Sequence, residues 1–422
     1  ALRPGLAGMG PPGRYAVTSA AKQQTLQWAQ EFVCPDRVRF LSSAGIDLVI
    51  GRREGYRIWD LDGRELIDIH LNGGVFNLGH RNPQVIAALT SALETLDIGN
   101  HHFPSVERAE LARELVGLTP GMQYAVFASG GGEAIDLAIK SARRVTGRRR
   151  IISVTDAYHG HTGLALAAGD EQAATAFLST DADVVRVPFD DAEALAEALR
   201  EPTAAVILET VPATAGFPRP SDDYLPAVRR LCDEADALYI ADEVQTGLGR
   251  SGRMWGVELF DVVPDILVTG KGLSGGIYPI AATLLNERAG QWLQTDGWGH
   301  VSTFGGAELG CRVASRVLTL TAEALPGLPI DAWAQGFADL AAAFPQWVVE
   351  VRQTGLIIGV KFAHEMGGML MTRLLFDQGV WAMFAGFDRS VLQVKPGLLM
   401  SDEDRRLVLE AFHRACAAAV AL

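Results

Sequence analysis

The segment Tyr239-Ile240-Ala241-Asp242-Glu243-Val244-Gln245-Thr246-Gly247 says most about the fold, because an apolar run ends there abruptly in charged residues. The segment Val268-Thr269-Gly270-Lys271-Gly272 repeats this pattern with a lysine. Strands that are apolar throughout are typical of sheets covered on both faces. Open α/β sheets bind ligands at the carboxyl ends of their strands. We therefore expect Asp242 and Lys271 to lie near each other at one edge of a buried sheet.

Around these two segments, short apolar runs recur along the chain with helical patterns between them. The predicted strands are 124–128, 151–154, 184–187, 205–209, 238–241, 266–269 and 280–284. Such alternation indicates an α/β fold with a mainly parallel, seven-stranded sheet and helices on both faces.

The two ends of the chain have a different pattern. Asp62-Gly63 separates the short runs Ile58-Trp59 and Leu66-Ile67, which predicts a hairpin turn. After about Gly310 the sequence predicts helices, two strands and a long final helix. We expect a large ligand-binding domain at residues 83–310, inserted into a smaller α+β domain built from residues 1–82 and 311–422.

The composition excludes several classes of protein. Of the 422 residues, 48% are hydrophobic, which is ample for a packed core. Fifty acidic residues against 37 basic ones give a net charge of −13, so we expect no nucleic-acid partner. No apolar run is long enough for a membrane span, and residues 1–21 lack the order of a signal peptide. Four dispersed cysteines indicate neither a disulfide framework nor a metal site, so we expect a cytoplasmic protein without a metal.

A glycine-rich turn follows the first strand of the predicted sheet. Gly130-Gly131-Gly132-Glu133 opens a helix, and the free N–H groups of a helix N-terminus attract phosphate. Glycine lets the backbone approach a ligand closely, although such turns also serve tight packing alone. A phosphate site at Gly131 and Gly132 is one interpretation of this turn, and simple packing is the other.

Asp242 and Lys271 also allow two interpretations, since a carboxylate and an amine at neighbouring strand ends can form a plain ion pair. Catalysis by pyridoxal 5′-phosphate (PLP) needs this pair together with a phosphate cradle. Its lysine binds the cofactor aldehyde covalently, and its carboxylate keeps the pyridinium nitrogen protonated. The glycine turn supplies the third requirement, so the three features explain one another.

With these motifs in order, the chain resembles the class III (ω-type, ornithine/4-aminobutyrate/putrescine-like) PLP-dependent aminotransferases of fold type I. The likeness covers about residues 46–417. Ile58-Trp59-Asp60-Leu61-Asp62-Gly63 looks like the family's early hairpin. Phe76-Asn77-Leu78-Gly79-His80-Arg81-Asn82-Pro83 is close to the version in putrescine-type members.

The resemblance implies roles for residues that match the family's motifs. Lys271 corresponds to the lysine that binds the cofactor, Asp242 to the partner of the pyridinium nitrogen, and Gln245 to the residue near the cofactor's 3′-oxygen. Gly131 and Gly132 occupy the place of the family's phosphate turn.

Three further elements are similar to family motifs. In Tyr158-His159-Gly160, the aromatic ring of Tyr158 is expected to stack on the pyridine ring. Glu209 matches a glutamate that lies beside the substrate pocket. Thr303, in Thr303-Phe304-Gly305-Gly306, matches a threonine that reaches the cofactor phosphate of the neighbouring subunit. The resemblance therefore implies a homodimer with shared active sites.

The sequence departs from the family pattern where carboxylate-binding side chains are usual. Gly132 replaces a threonine of the phosphate turn, and His161 stands where some members have arginine. Gln393 stands where the family has the arginine that grips the α-carboxylate, and Lys395 is near but out of register. Glutamine does not reproduce a guanidinium fork, which puts 2-oxoglutarate as a partner in doubt.

We therefore expect an aminotransferase that moves an amino group from an amine or amino acid to a keto acid or aldehyde. The reaction is expected to be ping-pong, with pyridoxamine phosphate between the two halves. One alternative keeps the cofactor but catalyses another class III reaction, as an amino-acid racemase, an epimerase or a phospholyase. A second alternative is a non-catalytic protein that retains the fold.

Overall fold

The computed structural model describes residues 19–422, which form an alternation of strands and helices. The strands are β1 (Ile50–Glu54), β2 (Arg57–Asp60), β3 (Glu65–Asp68), β4 (Tyr124–Ala128), β5 (Ile151–Val154), β6 (Val184–Val187), β7 (Ala205–Glu209), β8 (Leu238–Asp242), β9 (Ile266–Thr269), β10 (Ala281–Leu285), β11 (Val348–Thr354), β12 (Ile357–Phe362), β13 (Val380–Trp381), β14 (Met383–Phe384) and β15 (Val391–Val394). The α-helices are α1 (Ser19–Phe32), α2 (Pro35–Ser43), α3 (Leu71–Gly74), α4 (Pro83–Ala92), α5 (Val106–Gly117), α6 (Gly131–Thr146), α7 (Gly163–Ala168), α8 (Glu171–Ala176), α9 (Ala192–Ala198), α10 (Tyr224–Glu234), α11 (Glu287–Gly290), α12 (Glu308–Ala324), α13 (Ile330–Ala343), α14 (Gly367–Asp377) and α15 (Asp402–Val420).

The largest sheet has seven strands in the order β4-β10-β9-β8-β7-β5-β6. All its neighbouring pairs are parallel except those of β10, which runs antiparallel to both β4 and β9. The predicted α/β fold with a mainly parallel seven-stranded sheet is therefore confirmed. Strand β10 begins one residue later than the sequence indicated.

The central strands are buried because each of them packs on both faces. Successive residues of a strand point to opposite faces. Accordingly, Ile240 of β8 packs into one apolar core, and its neighbours Tyr239 and Ala241 pack into another. A polar side chain has no place along such a strand until it reaches an end, so the carboxyl end of β8 is where Asp242 appears.

Two four-stranded sheets are built from the chain ends, in the orders β1-β2-β3-β13 and β11-β12-β15-β14. The predicted hairpin is present, with Ile58 opposite Leu66 and Gly63 at a φ of +85° in the turn. Strand β13 pairs in parallel with β3, so the N-terminal and C-terminal segments share one sheet.

Helix α12 lies between the large sheet and the smaller ones. Its residues Cys311, Ala314 and Leu318 pack into a core of the large sheet, and Val313 and Val317 pack into the core of the smaller sheets. The predicted boundary at residue 310 falls within this helix, and the division into residues 1–82, 83–310 and 311–422 stays a prediction. Within residues 19–422, no helix is long and apolar enough to cross a membrane.

Candidate active site

Three strand ends of the large sheet bring ionisable side chains together. Asp242 ends β8 and pairs in register with Glu209, the last residue of β7. Lys271 comes two residues after β9, which runs beside β8 in parallel. The backbone of Lys271 has a φ of +42°. This left-handed conformation is strained in a residue with a side chain, and such strain is found at functional sites.

The amine of Lys271 is buried and, within the described part of the chain, is not paired with a carboxylate. Although part of the residue is accessible, protein surrounds its amine, and this burial lowers the pKa of Lys271. The negative charges of Asp242 and Glu209 oppose that shift. Among residues 19–422, no carboxylate oxygen lies within 4.0 Å of Nζ. Burial therefore favours the neutral form of the amine, which is the form that acts as a nucleophile.

Asp242 is held in one orientation by His159. The Nδ1 atom of His159 lies 2.7 Å from Oδ2 of Asp242, and the N–H of Val244 donates to Oδ1 at 3.0 Å. Both side chains are almost entirely buried. From the sequence alone, His159 could serve only to shape its loop. The structure places it directly against the carboxylate, while its other ring nitrogen, Nε2, is buried without a partner among the described residues.

Glu209 lies beside this pair and has no cationic partner of its own. Its two oxygens accept hydrogen bonds from the N–H groups of Tyr158, at 3.1 Å, and Ala213, at 3.1 Å. Burial, and next the charge of Asp242, raise the pKa of Glu209 to about 7. Within residues 19–422, no lysine or arginine nitrogen approaches its carboxylate to 4.0 Å.

Residues of the segment before α7 pack closely against the glycine turn at the start of α6. A Cβ atom on Gly132 would lie 2.7 Å from Oγ1 of Thr162, and one on Gly160 would lie 2.9 Å from Cα of Gly132. The Thr162 hydroxyl donates to Asp136 at 2.9 Å, which fixes it in place. The absence of a threonine at residue 132 thus has a steric reason, because the side chain of Thr162 occupies that space.

The remaining predicted residues are placed as follows. Gln245 lies beside Lys271, since a Cβ on Gly73 would be 3.4 Å from Oε1 of Gln245 and 3.1 Å from Cε of Lys271. Tyr158 is half-buried and lies at the carboxyl edge of the sheet, where its N–H donates to Glu209. Thr303 lies in the segment between α11 and α12. It is exposed in a loop, where a Cβ on Gly99 would lie 4.0 Å from its methyl group.

Two residues near the site were not recognised as functional candidates from the sequence. His70 precedes α3, and its pKa is lowered well below the usual value by burial and by the charges of Lys395, Arg250 and Lys271. Lys395 follows β15 and lies 3.3 Å from His70. Their separation of 325 positions in the sequence hides this contact from any local pattern.

The residues at this edge fit PLP. Helix α6 presents free N–H groups at Gly131 and Gly132 for a phosphate. Asp242 offers a fixed carboxylate for the ring nitrogen, and Lys271 offers an unpaired amine for the aldehyde. All three requirements are met on one edge of one sheet.

The family comparison decides the assignment. The family model described as aminotransferase class-III matches residues 42–416. The chain belongs to the class III aminotransferases. The predicted family, cofactor and reaction are thereby confirmed, so the enzyme is a PLP-dependent transaminase with small-molecule substrates. The racemase, phospholyase and non-catalytic alternatives are not favoured.

Relatives and solved structures agree with this class III assignment. The chain is 48% identical to an uncharacterized aminotransferase of Archaeoglobus fulgidus, over 91% of each chain. It is 32% identical to a putrescine aminotransferase of Pectobacterium atrosepticum, over 93% of this chain and 88% of the relative. The ornithine aminotransferase of Toxoplasma gondii, solved with partial occupancy of PLP at its active site, superposes with a TM-score of 0.81. It is 26% identical and covers 95% of each chain, which confirms fold type I.

Proposed function

We propose that this class III aminotransferase takes its amino group from an amine, a diamine or a larger biosynthetic amine rather than from a short ω-amino acid. The observation that supports this donor class is the absence of arginine from the two carboxylate-binding places, which hold His161 and Gln393. The amide of Gln393 is also committed, because its Nε2 donates to the carbonyl of Ala213 at 2.7 Å. The 32% identity to a putrescine aminotransferase agrees with an amine donor.

The nearby carboxylate of Glu209 also favours such a donor. It is buried and has no cation of its own, although two backbone N–H groups hold it in place. A buried carboxylate gains most from a cationic group that approaches it. The second ammonium of a diamine meets this condition, whereas a second carboxylate is repelled.

In our proposal, the site residues act in the following way. PLP, when bound, supplies the electron sink that makes the donor's α-proton acidic. The Nζ atom of Lys271 removes this proton, since burial favours its neutral form. Asp242, oriented by His159, holds the ring nitrogen in its protonated form. Gly131 and Gly132 bind the phosphate, Tyr158 covers the ring, and Gln245 lies near its 3′-oxygen.

The donor class is tested with holoenzyme and one donor at a time, without an acceptor. The absorbance of the bound cofactor is expected to change to that of pyridoxamine phosphate with putrescine, and far more slowly with 4-aminobutyrate. Lys271→Ala should abolish the change, while Lys361→Ala, a change at a half-buried lysine of β12, should not. Rapid turnover of 4-aminobutyrate with 2-oxoglutarate would contradict the proposed donor class.

We also propose a cytoplasmic homodimer in which Thr303 of the partner subunit completes each phosphate site. Exposed aromatic side chains around this loop support the proposal, since Phe103, Trp298 and Phe304 are 71%, 65% and 53% exposed. An exposed apolar patch of this kind marks an interaction surface. Light scattering gives the mass in solution. In addition, mixing Thr303→Ala with Lys271→Ala subunits should restore activity through one intact shared site.

A further inference from the structure

A buried lysine close to the proposed active site has no counter-ion. Lys395 is 1% exposed, and among residues 19–422 no carboxylate oxygen lies within 4.0 Å of its Nζ atom. The two polar groups within hydrogen-bond distance of Nζ are neutral. Oε1 of Gln393 lies at 2.5 Å and Nδ1 of His70 at 3.3 Å, while the ring centroid of Phe217 is 5.3 Å away. Buried lysines are rare unless they are paired.

Backbone hydrogen bonds also hold Lys395 in place. Gln393 lies in β15, and Lys395 follows two positions later, so that both side chains point to the same face. The N–H of Lys395 donates to Ile69 at 2.7 Å, and its carbonyl accepts from the buried Arg250 at 3.3 Å. Because Gln393 is itself held by Ala213, the amine of Lys395 is positioned before any ligand arrives.

This cluster borders the proposed active site on two sides. Lys395 lies 3.3 Å from His70, and a Cβ atom on Gly73, three residues after His70, would lie 3.1 Å from Cε of Lys271. The charge of Lys271 also lowers the pKa of both Lys395 and His70. On the other side, the N–H of Ala213 donates to Glu209, while its carbonyl accepts from Gln393. The amine of Lys395 therefore lies between the reactive lysine and the segment that follows Glu209.

In its charged form, the amine of Lys395 has one N–H donor more than it has acceptors among the described residues. A charged lysine has three N–H donors. One is directed to Gln393 and one to the neutral His70, whose ring nitrogen accepts it. The third has no acceptor among the described residues. A ligand carboxylate would supply both the missing acceptor and the missing negative charge.

We propose that Lys395 binds the carboxylate of the carbonyl substrate, in the half-reaction that returns the amino group. This inference rests on the proposed function and names its acceptor class, a 2-oxo acid with a single carboxylate. An ammonium group binds as a point charge and not as a fork. A second carboxylate has no comparable partner, since His161 stands where a second arginine would be.

The charge state of the cluster adds a pH dependence. Burial, and next the charges of Arg250 and Lys271, lower the pKa of Lys395, whereas Asp68 raises it. Asp68 is already bound to His80 at 2.8 Å, and His70 is neutral. Binding of a carboxylate therefore favours the protonated form of Lys395. Carboxylate affinity should therefore weaken as the pH rises, whereas the affinity of an uncharged analogue should not change.

The first experiment measures binding without turnover. Calorimetric titration of holoenzyme with propionate, and with propionamide as the uncharged match, should show that propionate binds at least about tenfold more tightly. Lys395→Met should abolish this preference, and Lys395→Arg should restore part of it. The half-buried Lys361→Met serves as the control and should behave as wild type. Equal binding of propionate and propionamide by the wild type overturns the inference without any variant.

The second experiment separates this inference from the proposed function. In Lys395→Met, KM for pyruvate should rise at least about tenfold, and by far more than KM for putrescine. Failure of the wild type to react with any amine donor would sink the proposed donor class. A wild type that reacts with donors, together with an unchanged KM for pyruvate in Lys395→Met, would sink the role of Lys395 alone.

Discussion

Gly132→Ala tests our account of the phosphate turn, in which Thr162 occupies the space of a side chain at residue 132. Gly132 is the second residue of α6 and has no left-handed backbone, so alanine is allowed there by conformation. The obstacle is steric. The new Cβ would lie 2.7 Å from Oγ1 and 3.3 Å from Cγ2 of Thr162, but 3.5 Å from its Cβ. Removing Oγ1 and Cγ2 therefore removes the clash.

The magnitude follows from these distances. To avoid the clash, Thr162 must move and strain its 2.9 Å hydrogen bond to Asp136, and overpacking of this kind costs about 1–3 kcal/mol. Alanine is more favourable than glycine in a helix by about 0.5–1 kcal/mol, which offsets part of this cost. We expect Gly132→Ala to lower the free energy of unfolding by about 1–2 kcal/mol. In a Thr162→Ala background the same change should raise it by up to about 1 kcal/mol.

The assay is urea unfolding of holoenzyme, followed by tryptophan fluorescence, for the four proteins of the double-mutant cycle. A coupling free energy of about 1–3 kcal/mol is expected between the two positions. Gly131→Ala gives a matched comparison, because its Cβ would meet only Val244, at 3.2 Å. If Gly132→Ala were equally destabilising with threonine and with alanine at residue 162, the steric explanation would be refuted.

Three further predictions concern the proposed active site. Asp242→Asn should slow cofactor conversion by putrescine about 10²-fold or more in single-turnover absorbance measurements, because a neutral amide does not stabilise a protonated ring nitrogen; an unchanged rate would contradict this role. His159→Gln should weaken PLP binding roughly tenfold in equilibrium dialysis, since it removes a 2.7 Å contact that orients Asp242; unchanged affinity would make His159 only a packing residue. Burial raises the pKa of Glu209 from 4.5 to about 7, so over this range the folded apoenzyme holds a proton that the unfolded chain releases. Its free energy of unfolding should therefore fall as the pH rises from about 5 to about 7, and Glu209→Gln should reduce that fall by about 2 kcal/mol in urea titrations, whereas parallel pH curves would exclude the raised pKa.

The large sheet was predictable because its strands are buried on both faces. A strand such as β8 must be apolar until its end, so the position of Asp242 in the sequence already gave its position at the sheet edge. The same logic located Lys271 after β9. The orientation of β10 was not predictable in this way, because an apolar strand has the same pattern whether it runs parallel or antiparallel to its neighbours.

The contacts around the site were less accessible, since they join distant parts of the chain. The packing of Thr162 against Gly132 depends on how the starts of α6 and α7 meet, and glycine alone does not indicate what lies beside it. The approach of Lys395 to His70 depends on the pairing of strands from both chain ends. In the sequence, the only signal was a lysine two positions from the place of a missing arginine.

The most direct test of the account is to find which lysine carries the cofactor, and whether an amine removes it. Holoenzyme is reduced with borohydride, digested and mapped by mass spectrometry, before and after incubation with putrescine. The account predicts a phosphopyridoxyl label on Lys271 in the first sample and its loss in the second, as the cofactor leaves the lysine during transamination. A label on Lys395 or another lysine, or one that no amine donor removes, would contradict it.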